Sequence, residues 1–133
     1  MKIEAVIYDM DGVIVDSEPF WREAIIITFK TVDLDFTEDM CRETMGMRLI
    51  EVIEYWYDKL GWEGKSIEQV DKELLETVTK LILQKAIAMN GVYQSLNYFK
   101  EKGLKIALAS SSASSLINTV LNKLELKDYF EVV

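Results

Sequence analysis

Two short β-branched and apolar runs, Lys2 to Tyr8 and Leu104 to Ala109, stand on either side of a long stretch of helical periodicity, and this spacing constrains the fold most. The first run ends in Asp-Met-Asp-Gly, which reads as a buried strand followed by a tight turn. From Ser17 the pattern is helical: Pro19 suits a first turn, and Phe20, Ala24, Ile27 and Thr28 recur along one face. Thr37 before Glu38 and Asp39 predicts a second helix. Arg48 to Leu60 gives a third, closed by Gly61, with Leu49, Val52, Ile53, Trp56 and Leu60 on its apolar side. Ser66 caps a fourth whose apolar positions, Ile67, Val70, Leu74, Leu75, Val78, Leu81, Ile82 and Leu83, run on to Ala88 before the break at Asn90-Gly91.

Beyond Gly91 the order becomes helix, strand, helix: Val92 to Lys102 ended by Gly103, then Leu104 to Ala109, then Ser114 to Leu124. Tyr129 to Val133 reads as the start of a third strand. The expected architecture is an α/β core, residues 1–16 and 90–133, interrupted by a helical insertion at 17–89. In open parallel sheets ligands sit at the carboxyl ends of the strands. Asp9, Asp11 and Ser110 all fall there.

Composition narrows the chemistry. The 133 residues contain no histidine and one cysteine, Cys41, which removes disulfides, Ser-His-Asp triads and Cys-His pairs together. Lys plus Arg number 15 against 23 Asp plus Glu, and the net charge of −8 repels nucleic-acid backbones and anionic lipid. No apolar run approaches the ~20 residues of a membrane span, so the expectation is a soluble, cytoplasmic protein without nucleic-acid or membrane partners.

Carboxylates at Asp9 and Asp11, two positions apart at a strand end, can face one pocket and make a magnesium site, because magnesium takes hard oxygen ligands and keeps several waters. Asp9 could then act as a nucleophile, with the second acid moving protons. The same residues with Gly12 could be ordinary turn chemistry. An EF-hand loop is disfavoured: it needs glycine sixth and a bidentate acid twelfth, whereas here glycine is fourth and Phe20 twelfth.

The run Tyr8-Asp-Met-Asp-Gly-Val-Ile-Val-Asp16-Ser17-Glu18 resembles the first signature of the haloacid dehalogenase superfamily, in its β-phosphoglucomutase-like branch. Gly103-Leu-Lys-Ile-Ala-Leu-Ala-Ser110 resembles the second signature, and the intervening helices resemble the family's four-helix cap. The resemblance implies a partial Rossmann-like parallel sheet with an inserted cap. It makes Asp9 nucleophile and magnesium ligand, Asp11 general acid/base and ligand through its backbone carbonyl, and Ser110 a phosphate ligand. Gly12 and the amides of Ser111 and Ser112 would sit at the same phosphate site, and Asp16 would brace the hinge. The alternative for the serine run is a flexible loop in which Ser114 caps the following helix.

Departures from the family pattern narrow the reaction. Asp11 is present, unlike in true dehalogenases; Trp21 stands where the mutases of this branch carry a histidine; and Asp16 to Glu23 offers only Arg22 where phosphonate hydrolases use a lysine. Water is the expected acceptor, with a β-phosphoglucomutase-like mutase as an alternative. Ser17-Glu-Pro-Phe-Trp21, Thr44-Met-Gly-Met-Arg48 and Tyr55-Trp-Tyr57 followed by Gly61-Trp62 resemble phosphatases of hexitol and sugar phosphates. By that resemblance Arg48 is a forked donor to a substrate oxygen, against an ordinary surface charge. Trp56 is expected in the core, and Trp62 could serve core or pocket.

The family completes its site with a lysine and a second acidic pair that have no counterpart here. The chain is therefore expected to stop before the site is whole, leaving either a compromised magnesium-dependent phosphatase or an inert binding module. A phosphorylatable receiver domain also uses strand-end acids, but the helical insertion argues against it. The family's strand order further implies an open edge on the first strand and self-association through residues 3–8.

Overall fold

The computed structural model describes residues 2–133. The chain divides into two compact units, Met1–Glu18 with Ile82–Val133, and Pro19–Leu81.

In the first unit, β1 (Ala5–Tyr8) pairs in parallel with β2 (Lys105–Leu108), Ala5 opposite Lys105 and Tyr8 opposite Leu108. Ile106 and Leu108 are buried, as are Val92 and Leu96 of α5 (Val92–Glu101) and Leu116, Ile117, Val120 and Leu121 of α6 (Ser114–Lys123). Each such side chain contributes roughly 1.5–3 kcal/mol on burial. Tyr8 closes this core, edge-on to Phe99 and Phe130 at 6.4 and 6.1 Å, while its hydroxyl donates to Ser95 Oγ at 2.8 Å. Gly103, at φ 69°, lets the chain leave α5 and turn straight into β2.

By its contacts the chain rejoins the first unit from Ile82, and the residues just before Asn90 bond into that unit. Val15 bridges Ala88, and the Met89 amide donates to the Ile14 carbonyl at 2.8 Å. For the same reason the fourth helix, α4 (Ile67–Lys85), ends three residues before Ala88. Tyr129–Val133 is not a strand. Lys127–Tyr129 forms a single 3-10 turn, and then only Val132 bridges Ala107, since two hydrogen bonds (Glu131 N–H to Ile106 O and Leu108 N–H to Val132 O, both 2.9 Å) make one bridge and not a ladder.

The second unit is helical: α1 (Glu18–Lys30) from Pro19, α2 (Glu38–Glu43), α3 (Leu49–Leu60) and α4 up to Leu81. The Thr37 hydroxyl accepts from the Met40 amide at 3.3 Å, and Ser66 and Gln69 cap each other's amides at 3.2 and 2.8 Å. Gly61, at φ 64°, ends α3. Aromatic rings fill the core: Phe29 stacks on Phe36 at 4.2 Å, Trp56 meets Phe36 edge-on at 5.0 Å, and Trp62 meets Phe29 at 5.5 Å and Tyr57 at 4.7 Å. Trp56 is thus core, and Trp62 belongs to the same cluster with its indole N–H on Lys65 O at 3.1 Å.

This cluster also corrects the buried face of α1. Ala24, Ile25, Thr28 and Phe29 are buried, whereas Ile27 is 45% exposed, because the Phe29–Phe36 stack fixes the helix's rotation. Leu60 and Leu83 are likewise exposed at the ends of their stripes.

Cys41 lies buried on α2, and burial pushes its thiol above the usual range. Thiolate is the reactive form, so labelling by a soluble disulfide reagent is expected to be about tenfold or more slower in the folded chain than in urea. Equal rates in the two states would contradict the burial.

Candidate active site

The first unit brings Asp9, Asp11, Gly12 and the serines 110 to 112 to one end of its sheet. β1 ends at Tyr8 and β2 at Leu108, and the Ala109 amide donates to Tyr8 O at 2.8 Å, so the residues after each strand leave the sheet side by side. Asp9 is exposed, and its Oδ1 accepts from the Met10 amide at 2.7 Å. The next turn is tightly held. Met10, fully buried, accepts at its carbonyl from the amides of Ile14 and Val15 at 2.9 and 3.2 Å, and Gly12, at φ 76°, donates to Val15 O at 2.8 Å.

Asp11 is half-buried and both of its carboxylate oxygens accept: Oδ1 from the hydroxyl of Ser17, and Oδ2 from the hydroxyl of Ser112 at 2.9 Å. Each oxygen keeps a second lone pair, so Asp11 can take up or give a proton while both hydrogen bonds hold it in place. Ser17 is 2% exposed, and its role is one that sequence reasoning missed. The available signal was its place at the end of the first signature, a short polar residue ahead of a helix. Within the serine loop the Ser112 amide donates to Ser110 Oγ at 3.2 Å, a local serine turn in place of an amide left open to a ligand. Ser111 is exposed. Nor does Ser114 cap the helix, as the flexible-loop alternative had it: Ala113 occupies the N-cap without a side-chain bond, and Ser114 is already helical.

Arg48 belongs to the helical unit. It sits exposed at the N-cap of α3, its own amide donating to Glu51 Oε2 at 2.9 Å, and follows Gly46, whose φ is 84°. Met45 and Met47 beside it are 56% and 43% exposed.

The donor set at the strand end fits magnesium in type, since Asp9 offers a carboxylate oxygen beside the Asp11 backbone. It is sparse in number: among the described residues no three acids, cysteines or histidines cluster as a metal cage. One or two carboxylates suffice for magnesium when waters and a phosphate fill the remaining positions.

A parallel sheet with two acids beyond its first strand, a serine loop beyond its second and a helical insertion between them defines a class of fold. The chain belongs to the haloacid dehalogenase-like hydrolase family, whose model matches residues 6–133. It is 30% identical over 133 residues to hexitol phosphatase B of Escherichia coli K12, and 32% identical over 131 residues to a phosphorylated carbohydrates phosphatase of Thermotoga maritima. These matches cover 99% and 98% of this chain, which spans about 60% of each relative's length. Among solved structures, a putative β-phosphoglucomutase of Thermotoga maritima superposes with a TM-score of 0.79 at 32% identity, over 98% of this chain and 60% of that one. CbbY of Rhodobacter sphaeroides in complex with phosphate shares the fold, with a TM-score of 0.87 at 19% identity over 98% of this chain and 62% of its own. No helix among the described residues is long and apolar enough to cross a membrane.

Proposed function

We propose that this chain carries the nucleophile-bearing part of a magnesium-dependent phosphatase that hydrolyses small sugar or hexitol phosphates through an aspartyl phosphate at Asp9. The observation that carries the reading is the exposed Asp9 carboxylate at the end of β1, beside an Asp11 whose carboxylate is oriented by Ser17 and Ser112. Similarity to hexitol and carbohydrate phosphatases supports the substrate class. A carboxylate oxygen of Asp9 attacks phosphorus and the ester P–O bond breaks, while Asp11 gives a proton to the leaving alkoxide. Asp11 then takes a proton from water, which attacks the phosphorus and returns Asp9 to carboxylate. Magnesium, held by the Asp9 carboxylate and the Asp11 backbone carbonyl, would neutralise charge on the transferring phosphoryl oxygens. Gly12, Ser110 and the loop amides of Ser111 and Ser112 would face the phosphate once the Ser112–Ser110 hydrogen bond is exchanged. The balance of charge and the single buried thiol suit a cytoplasmic setting.

A second reading, an inert or binding module, is favoured by the sparse donor set among the described residues. The test joins Val133 to the part of the Thermotoga maritima phosphatase that its alignment leaves uncovered, and measures phosphate release from hexitol phosphates. Release that needs magnesium supports the enzyme reading. A correctly folded extended chain with no release supports the inert module.

In that extended chain, Arg48→Ala is expected to lower kcat/KM for hexitol and hexose phosphates about tenfold more than for p-nitrophenyl phosphate, because only the former offer hydroxyls to a forked donor. Equal effects would make Arg48 a surface charge.

A further inference from the structure

The loops that follow β1 and β2 are joined at the Asp11 side chain. Its backbone is fixed by its own turn: Asp11 bridges Val15, and the Gly12 amide donates to Val15 O at 2.8 Å. The carboxylate still has a soft torsion. Rotation about the Cβ–Cγ bond of an aspartate is broad and roughly two-fold, so a carboxylate held at one oxygen can swing the other through a wide arc. Donors on both oxygens fix its plane. Ser17 holds Oδ1, and Ser112 holds Oδ2 at 2.9 Å.

The two serines are not equivalent. Ser17 is 2% exposed and lies six positions along the same chain segment, so its hydrogen bond comes with the framework of the turn. Ser112 is half-buried on the loop after β2, where its amide donates to Ser110 Oγ at 3.2 Å. A serine hydroxyl has one proton to donate. The Ser112 hydroxyl gives that proton to Asp11 and has none left for a phosphate oxygen, so its work differs from that of the loop amides.

We propose that Ser112 is a positioning residue for proton transfer: its hydroxyl fixes the plane of the Asp11 carboxylate, so that the acid presents its proton to the leaving oxygen, and it does not bind the substrate. This role rests on the phosphatase reading above. In the first step an Asp9 oxygen bonds to phosphorus, the ester P–O bond breaks, and the proton of Asp11 passes to the leaving oxygen. The more basic that oxygen, the more its departure depends on a well-placed acid. p-Nitrophenolate leaves as a stable anion and asks little of Asp11; phenolate asks more, and a hexitol alkoxide most.

The experiment measures kcat/KM of the extended chain, a quantity set by the steps up to loss of the leaving group, for p-nitrophenyl phosphate, phenyl phosphate and a hexitol phosphate. Ser112→Ala keeps the loop amide and should leave the circular dichroism spectrum and melting curve unchanged. Its kcat/KM should fall by no more than about threefold for p-nitrophenyl phosphate, about tenfold for phenyl phosphate and about 10²-fold for the hexitol phosphate. Ser112→Thr, which retains a hydroxyl, should recover most of the loss. Neither aryl ester carries a hydroxyl, so the difference between them reports on the leaving group and not on contact with a sugar. Equal losses on all three esters would make Ser112 a structural residue of the loop, and a loss confined to the hexitol phosphate would make it a substrate contact; either result overturns the proposal while the phosphatase reading stands. A folded parent chain that releases phosphate from none of the three removes that reading and the role of Ser112 with it.

Discussion

Asp9→Asn in the extended chain is expected to lower hexitol-phosphate hydrolysis by at least about 10³. The amide oxygen is a poor nucleophile, and the neutral side chain is a weaker magnesium ligand. The substitution should leave the fold alone. Asp9 is exposed, and its one hydrogen bond among the described residues, Oδ1 accepting from the Met10 amide at 2.7 Å, is one that asparagine's carbonyl oxygen can also accept. Loss of activity with an unchanged circular dichroism spectrum and melting curve would therefore report on chemistry. Activity within tenfold of the parent would remove Asp9 from the nucleophile's role.

The largest expected effect on stability lies in the helical unit, at Trp56→Ala. Trp56 is 2% exposed, packs edge-on to Phe36 and Tyr55 at 5.0 and 5.1 Å, and directs its indole N–H to Thr44 Oγ1 at 3.4 Å. Truncation removes the largest buried side chain of the cluster and leaves a cavity among rings that cannot collapse. The cost should be about 3–5 kcal/mol, a large share of the 5–15 kcal/mol typical of whole domains. Urea unfolding followed by circular dichroism measures it, and Trp56→Phe should recover part of the loss. A cost under about 1 kcal/mol would mean that the ring cluster is not what holds α1, α2 and α3 together.

What could be read from the sequence was local. Thr37, Ser66, Gly61 and Gly103 mark helix ends through hydrogen bonds or backbone angles set within a few residues, and the structure has them in those roles. Trp56 was legible as core because its neighbours Val52 and Ile53 keep helical spacing. The rotation of α1 was not, since Ile25 and Ile27 are equivalent until Phe29 stacks on a ring outside the helix. Nor was the exposure of Ile3 and Ile7. A run as apolar as Ala5 to Tyr8 reads as buried on both faces, and only what packs on each face decides otherwise.

The site divides in the same way. Asp9, Asp11 and Ser110 could be placed at strand ends from periodicity alone. The bond from Ser112 to Asp11 spans 101 positions, and no local pattern announces it. Ser17 looked like a helix start and is instead a buried hydroxyl serving Asp11, because the turn from Met10 to Val15 folds the chain back on itself.

Asp9 itself is proposed to carry the phosphoryl group, and the most direct measurement is a rapid acid quench of the extended chain turning over a hexitol phosphate, followed by peptide mass analysis. The expected result is one added phosphoryl group on the peptide that contains Asp9, absent from Asp9→Asn and absent without substrate. Steady turnover with that peptide unmodified, or with the phosphoryl group on Ser110 or any other residue, would contradict it.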